Sequence, residues 1–95
     1  IYAANDMMAV GCFLALRYRG LKVPRDVAPA GFDDIPLARL VDPPLTTART
    51  QIADLGRRAL ERLALSIDND RVDAELETVE PELVVRQSTD PSASA

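Results

Sequence analysis

Histidine and tryptophan are absent from this 95-residue chain, and cysteine and lysine occur once each, as Cys12 and Lys22. Without histidine no Ser–His or Cys–His nucleophile can form. A single cysteine excludes an internal disulfide and a zinc-ligand set. The four glycines, Gly11, Gly20, Gly31 and Gly56, stand alone, so no glycine-rich phosphate loop is present. Asp68-Asn69-Asp70 resembles part of a calcium loop, yet no glycine follows at the sharp turn and Val79 stands where the closing glutamate belongs. The sequence therefore offers no metal site, no cofactor loop and no enzyme chemistry. No apolar run is long enough to span a membrane. The 11 basic residues are scattered against 15 acidic ones, for a net charge of −4. Phosphate binding needs clustered positive charge, so this stretch by itself is not a nucleic-acid reader.

The remaining composition is that of an ordinary globular protein, 47 % hydrophobic and 27 % charged. The length allows one small domain, which buries only about 60–65 % of its unfolded surface. The chain begins at Ile1, without an initiator Met and inside an apolar segment, so it reads as a fragment. No internal repeat is visible.

The pattern predicts strands at residues 1–4, 27–31 and 45–49, helices at 7–19 and 52–67, and an extended region at 76–87 interrupted by Pro81. One turn of helix fits from Asp34 onward, and residues 90–95 form a flexible tail. Asn5 or Asp6 can cap the first helix, and Gly20 can end it in a left-handed conformation. This alternation implies an α/β fold with a parallel sheet. Pro29 is awkward in its strand, because proline cannot donate to the ladder. The first helix carries no charge between Met7 and Leu16, so it must be covered on more than one side. One face can pack on the sheet, and Cys12, within this apolar stretch, reads as a small buried side chain. Val10, Phe13 and Leu14 need a second cover, of which a partner subunit is the simplest. The second helix, with Ile52, Leu55, Ala59, Leu60, Leu63 and Ile67 at helical spacing, reads as an amphipathic surface helix.

Two of these strands end in polar groups. Residues 1–4 run into Asn5-Asp6, and residues 27–31 into Phe32-Asp33-Asp34. In a parallel α/β sheet a ligand sits at the carboxyl ends of the strands. Asp33 can accept two hydrogen bonds from one ligand, and Asn5 can donate and accept at once. Those are groups that hold sugars, nucleosides and purines. The plainer roles stay open: a helix cap for Asn5 and a turn for Asp33. Asp34 reads as structural.

At these residues the chain resembles the C-terminal part of the LacI/GalR family of bacterial transcription regulators. The likeness rests on Ala4-Asn5-Asp6-Met7-Met8-Ala9-Val10-Gly11, on the stretch from Gly20-Leu21-Lys22 to Asp26-Val27, on Gly31-Phe32-Asp33-Asp34, on Pro43-Pro44-Leu45-Thr46-Thr47, on Leu55-Gly56-Arg57-Arg58-Ala59 and on Leu83-Val84-Val85-Arg86-Gln87-Ser88. The resemblance implies a two-lobed, periplasmic-binding-protein-like (type I) fold with an effector between the lobes. Residues 1–89 would be the C-terminal part of the effector-binding and dimerisation domain. Residues 1–47 and 83–88 would lie in one lobe and 50–80 in the other. The DNA-binding helix-turn-helix would lie outside this chain. The resemblance implies effector contacts at Asn5 and Asp33, and a dimer interface along the first helix and near Leu40-Val41. Thr50 stands where many relatives carry an effector-binding glutamine, and Pro29 replaces a usual β-branched residue.

The reading is thus the effector-sensing and dimerisation portion of a cytoplasmic, LacI-type repressor that responds to a sugar or nucleoside-like molecule. It would reach operator DNA only through the absent domain. The competing reading is an exported sugar-binding protein of a transport system.

Overall fold

The computed structural model describes residues 1–72 and 75–93. The chain divides into two compact units, Ile1–Arg49 with the residues from Glu82 onward, and Thr50–Pro81.

The first unit contains α1 (Asp6–Tyr18), α2 (Leu37–Leu40), β1 (Thr47–Arg49) and β2 (Glu82–Val84). Helix α1 starts where Asn5, in extended conformation, accepts the Met8 N–H on its side chain at 2.9 Å. It stops before Gly20, which adopts φ +73°, a conformation glycine enters without a Cβ penalty. Ala9, Phe13 and Leu16 face inward along one stripe. With Ala3, Ala38 and Leu45 they form the buried apolar set of this unit. Cys12 is half-buried, less covered than its residue type suggests.

Three extended segments and β2 lie side by side. Tyr2 bridges Ala30, Ala30 bridges Thr46 and Asp33 bridges Arg49, all in the parallel sense. The stretches at 1–4 and 27–31 pair only through these single bridges, and Pro29 gives the reason. It has no N–H to offer, so the contacts around it run from the Ile1 amino group to the Ala28 carbonyl at 3.0 Å and from the Ala30 N–H to the Ile1 carbonyl at 2.9 Å. The fully buried Pro29 instead accepts the Ser88 hydroxyl at 2.7 Å.

The last strand departs from the all-parallel expectation. β2 pairs β1 antiparallel, with Thr47 opposite Val84 and Arg49 opposite Glu82. It is also shorter than the extended region expected at 76–87. The segment between β1 and β2 is a unit of its own rather than one crossover helix, so the rule favouring parallel neighbours does not apply. Beyond β2, Gln87 donates to the Ala93 carbonyl at 3.2 Å and Asp90 accepts from the Ser92 N–H at 3.0 Å. These bonds make a turn through Ala93; Ser94 and Ala95, the end of the expected flexible tail, lie outside the described residues.

The second unit is built on α3 (Ile52–Asp68). Its polar face carries ion pairs from Arg57 to Asp54 (2.6 Å) and Glu61 (2.8 Å). Arg58 reaches Glu77 at 2.6 Å, and Arg62 donates to the Glu75 carbonyl at 2.6 Å, so the following segment is tied to the helix. No residue of α3 is buried.

Candidate functional site

The site residues of the first unit gather at one turn. The Asp6 N–H donates to the Phe32 carbonyl at 2.9 Å, which joins the start of α1 to the end of the 27–31 segment. Asp6 is wholly buried. Its Oδ1 accepts the Thr47 hydroxyl at 2.6 Å and its Oδ2 accepts the Ile35 N–H at 2.9 Å. Gly31 makes room for it: a Cβ there would collide with Asp6 Oδ1 and lie 3.1 Å from Asp6 Cα.

Asp33 and Asp34 follow at φ +116° and +58°. Neither is glycine, and each such residue costs about 1–3 kcal/mol unless its surroundings over-determine it. They do so here. Three successive N–H groups are engaged: Asp33 with the Ala48 carbonyl at 2.9 Å, Asp34 with Thr47 Oγ1 at 3.4 Å, and Ile35 with Asp6.

The two carboxylates then part company. The Asp34 side chain is 3 % exposed and lies between Arg86 Nη1 at 2.8 Å and Arg49 Nε at 2.7 Å. Burial alone would raise its pKa, but the hydrogen bonds from Arg86 and Arg49 outweigh burial and hold the carboxyl below its ordinary value. Arg86 is itself buried and also donates to the Leu45 carbonyl at 3.0 Å. Asp33, by contrast, is half-buried, and its carboxylate has no partner among the described residues. Asn5 spends Oδ1 on the helix cap, while its amide nitrogen makes no bond among the described residues. Capping and ligand binding thus use different atoms of one side chain. Thr50 is the first residue of the second unit, and its carbonyl accepts the Ile52 N–H at 2.9 Å.

Val10, Leu14, Leu40 and Val41 line a groove of about 240 Å³ between α1 and α2. Phe13 lies at the floor of this groove. It is 6 % exposed and packs with Ala3, Ala9, Ala38 and Leu45. Four residues after Ala9 it falls on the inward stripe, whereas Val10 and Leu14 are turned about 100° from it.

Sequence reasoning missed Asp6, Thr46, Thr47, Arg86 and Ser88 as buried polar residues. Ser88 accepts the Thr46 N–H at 2.8 Å while donating to Pro29, and the Thr46 hydroxyl donates to the Arg86 carbonyl at 2.9 Å. The available signal was a charged residue directly after Leu83-Val84-Val85: arginine buried in such a run needs a carboxylate nearby.

The family model for periplasmic-binding-protein-like domains matches residues 1–89. The chain is 44 % identical over 89 residues to the HTH-type transcriptional regulator MalR of Streptomyces coelicolor, covering 94 % of this chain and 26 % of that protein. It therefore spans about a quarter of the length of the curated relatives it matches. Among solved structures it is similar to a LacI-family transcriptional regulator of Arthrobacter in complex with lactose. That match has a TM-score of 0.83 at 36 % identity and covers 95 % of this chain and 34 % of that one. It is also similar to the lac repressor dimer bound to operator and an anti-inducer, with a TM-score of 0.83 at 32 % identity over 93 % of this chain and 26 % of the other. With the matched family model and these regulator relatives, the chain belongs to the periplasmic-binding-protein-like domain family, in the form that LacI-type transcriptional regulators carry.

Proposed function

We propose that this chain is the effector-sensing and dimerisation portion of a cytoplasmic, LacI-type repressor, a binding module with no catalytic role. Asn5 and Asp33 contact a sugar or related polar effector, and Thr50 is a further, weaker candidate contact. The carrying observation is the contrast within the aspartate pair: Asp34 is fully paired, while Asp33, held at φ +116°, keeps both oxygens free of any partner among the described residues. A carboxylate with open acceptor sites on a fixed backbone turn suits hydroxyl or N–H donors. The lactose held by the Arthrobacter relative supports a sugar as the class.

In this reading the two units belong to two lobes, residues 1–47 with 83–88 and residues 50–80. The homodimer forms along α1 and α2 at Val10, Leu14, Leu40 and Val41, with Phe13 beneath them, and operator DNA is read by an N-terminal helix-turn-helix beyond this chain. Effector binding shifts the lobes, and with them the spacing of the DNA-binding heads.

The test is calorimetric titration of the full-length regulator with a panel of mono- and disaccharides, beside Asn5→Ala and Asp33→Asn. We expect one sugar to bind and both variants to weaken it at least about tenfold. Unchanged affinity in Asp33→Asn would remove that residue from the site. The 95-residue chain alone is expected to show no saturable binding to labelled operator DNA.

A further inference from the structure

Asp33 carries the effector reading, yet it makes no side-chain bond that would hold it in place. What fixes it is its neighbour. The backbone turns through positive φ at Asp33 and again at Asp34. The Asp34 carboxylate is the side-chain anchor of that double turn, with one oxygen 2.8 Å from Arg86 and the other 2.7 Å from Arg49. Arg39 approaches it from α2 at 3.9 Å.

The two closer arginines come from particular places. Arg49 ends β1, directly before the chain leaves for the second unit, and Arg86 follows β2, shortly after the chain returns. Arg86 is fixed in turn, because Nη1 is shared with the Leu45 carbonyl and its own N–H and carbonyl are both bonded to the Thr46 hydroxyl. A single carboxylate therefore ties the strained turn to both chain connections at once.

We propose that Asp34, clamped between Arg86 and Arg49, is a positioning residue for the effector site. It holds the turn so that the Asp33 carboxylate is presented ready-made to the effector. This inference rests on the effector reading of Asp33. A site whose acceptor is already fixed does not have to order it on binding, which is the physical gain of preorganisation. A merely stabilising ion pair would add to the folding free energy without changing Asp33 in particular.

The experiment compares the full-length regulator with Asp33→Asn, Asp34→Asn and Arg86→Lys, with lactose as the probe, at a temperature where all are folded. Calorimetry gives the affinity. Amide hydrogen exchange followed by NMR gives the opening of the Asp33 N–H relative to the Ser88 N–H, which bonds the Pro44 carbonyl outside the clamp. In Asp34→Asn we expect lactose binding to weaken at least about tenfold. Exchange at Asp33 should speed up at least about tenfold more than at Ser88. Arg86→Lys, which keeps the charge, should fall between the wild type and Asp34→Asn in both. Equal acceleration at Asp33 and Ser88 would overturn the proposal, since the pair would then serve global stability alone. Unchanged lactose affinity alongside selective opening would overturn it as well. If neither the wild type nor any variant binds lactose, the effector class proposed above fails, and the exchange comparison still decides whether Asp34 positions Asp33. Should Asp34→Asn fail to fold, Arg86→Lys carries the same two measurements.

Discussion

The two units of this chain solve the same problem by opposite means. The first hides polar groups. Asp6, Thr46, Thr47, Arg86 and Ser88 are all buried, and no buried side-chain polar atom among the described residues lacks a partner. The second hides none of its described residues. Helix α3 has no buried residue, Ile52, Leu63 and Ile67 are each more than half exposed, and its ion pairs lie at the surface. Buried polar networks fix one arrangement because any slip strands a donor or acceptor away from water. Surface pairs carry no such penalty, since water replaces a lost partner. The lesson is that residue content alone does not tell which unit closes a core within this stretch of chain. The apolar stripe of α3 is as regular as that of α1, but only α1 sets its stripe against a core.

The sharpest way to break this contrast is Asp6→Ala. It strands the Thr47 hydroxyl and the Ile35 N–H, at about 1–3 kcal/mol for each unsatisfied group. Urea unfolding followed by circular dichroism should show the full loss. Arg86→Ala comes next. It leaves Asp34 buried with Arg49 as its remaining close partner, and about 3 kcal/mol is expected from one-sided removal of a buried pair. Gly31→Ala pushes a methyl group against Asp6 and Leu45, for about 1–3 kcal/mol. At the small end, Arg57→Ala removes two pairs on α3 and should leave the unfolding midpoint unchanged within error, with raised salt mimicking the mutation. Acid sharpens the comparison further. Because the folded-state pKa of Asp34 lies below its unfolded value, its contribution is complete above the ordinary carboxylate pKa. That contribution is lost as pH falls through the lower, folded value. A pH series of unfolding curves should show this loss in the wild type and not in Asp34→Asn.

Much of this was readable in the residues, and the failures have identifiable causes. Helix α1 was legible because an uncharged run lies between a capping asparagine and a glycine. Helix α3 was legible from its spacing. The turn at α2 was placed only loosely, since α2 begins at Leu37 and Pro36 stands at its N-cap position. Asn5 and Asp6 could not be told apart as caps from sequence, because both are short acceptors. One rotates outward to cap and the other is buried, and a single residue of helical phase decides which. The segment at 27–31 pairs only through single bridges, and Pro29, the residue that makes it awkward as a strand in the sequence, is the visible reason. The direction of β2 could not be read, since it depends on what the intervening unit does rather than on residues 82–84. At the candidate site the polar strand ends were visible, while the arginine that supports them is contributed from far along the chain, 52 positions after Asp34. Sequence neighbours announce a turn; they do not announce its anchor.

The antiparallel pairing of β1 with β2 also has a consequence in chain topology. The second unit departs after Arg49 and returns at Glu82, so the first unit closes around an excursion whose two ends are zipped together. The entropy of closing a loop grows only with the logarithm of its length, about 0.6 kcal/mol for each doubling. The zipped ends therefore make the first unit nearly indifferent to how long the excursion is. Insertions and deletions can accumulate between residues 50 and 81 while the turn that presents Asp33 keeps its shape.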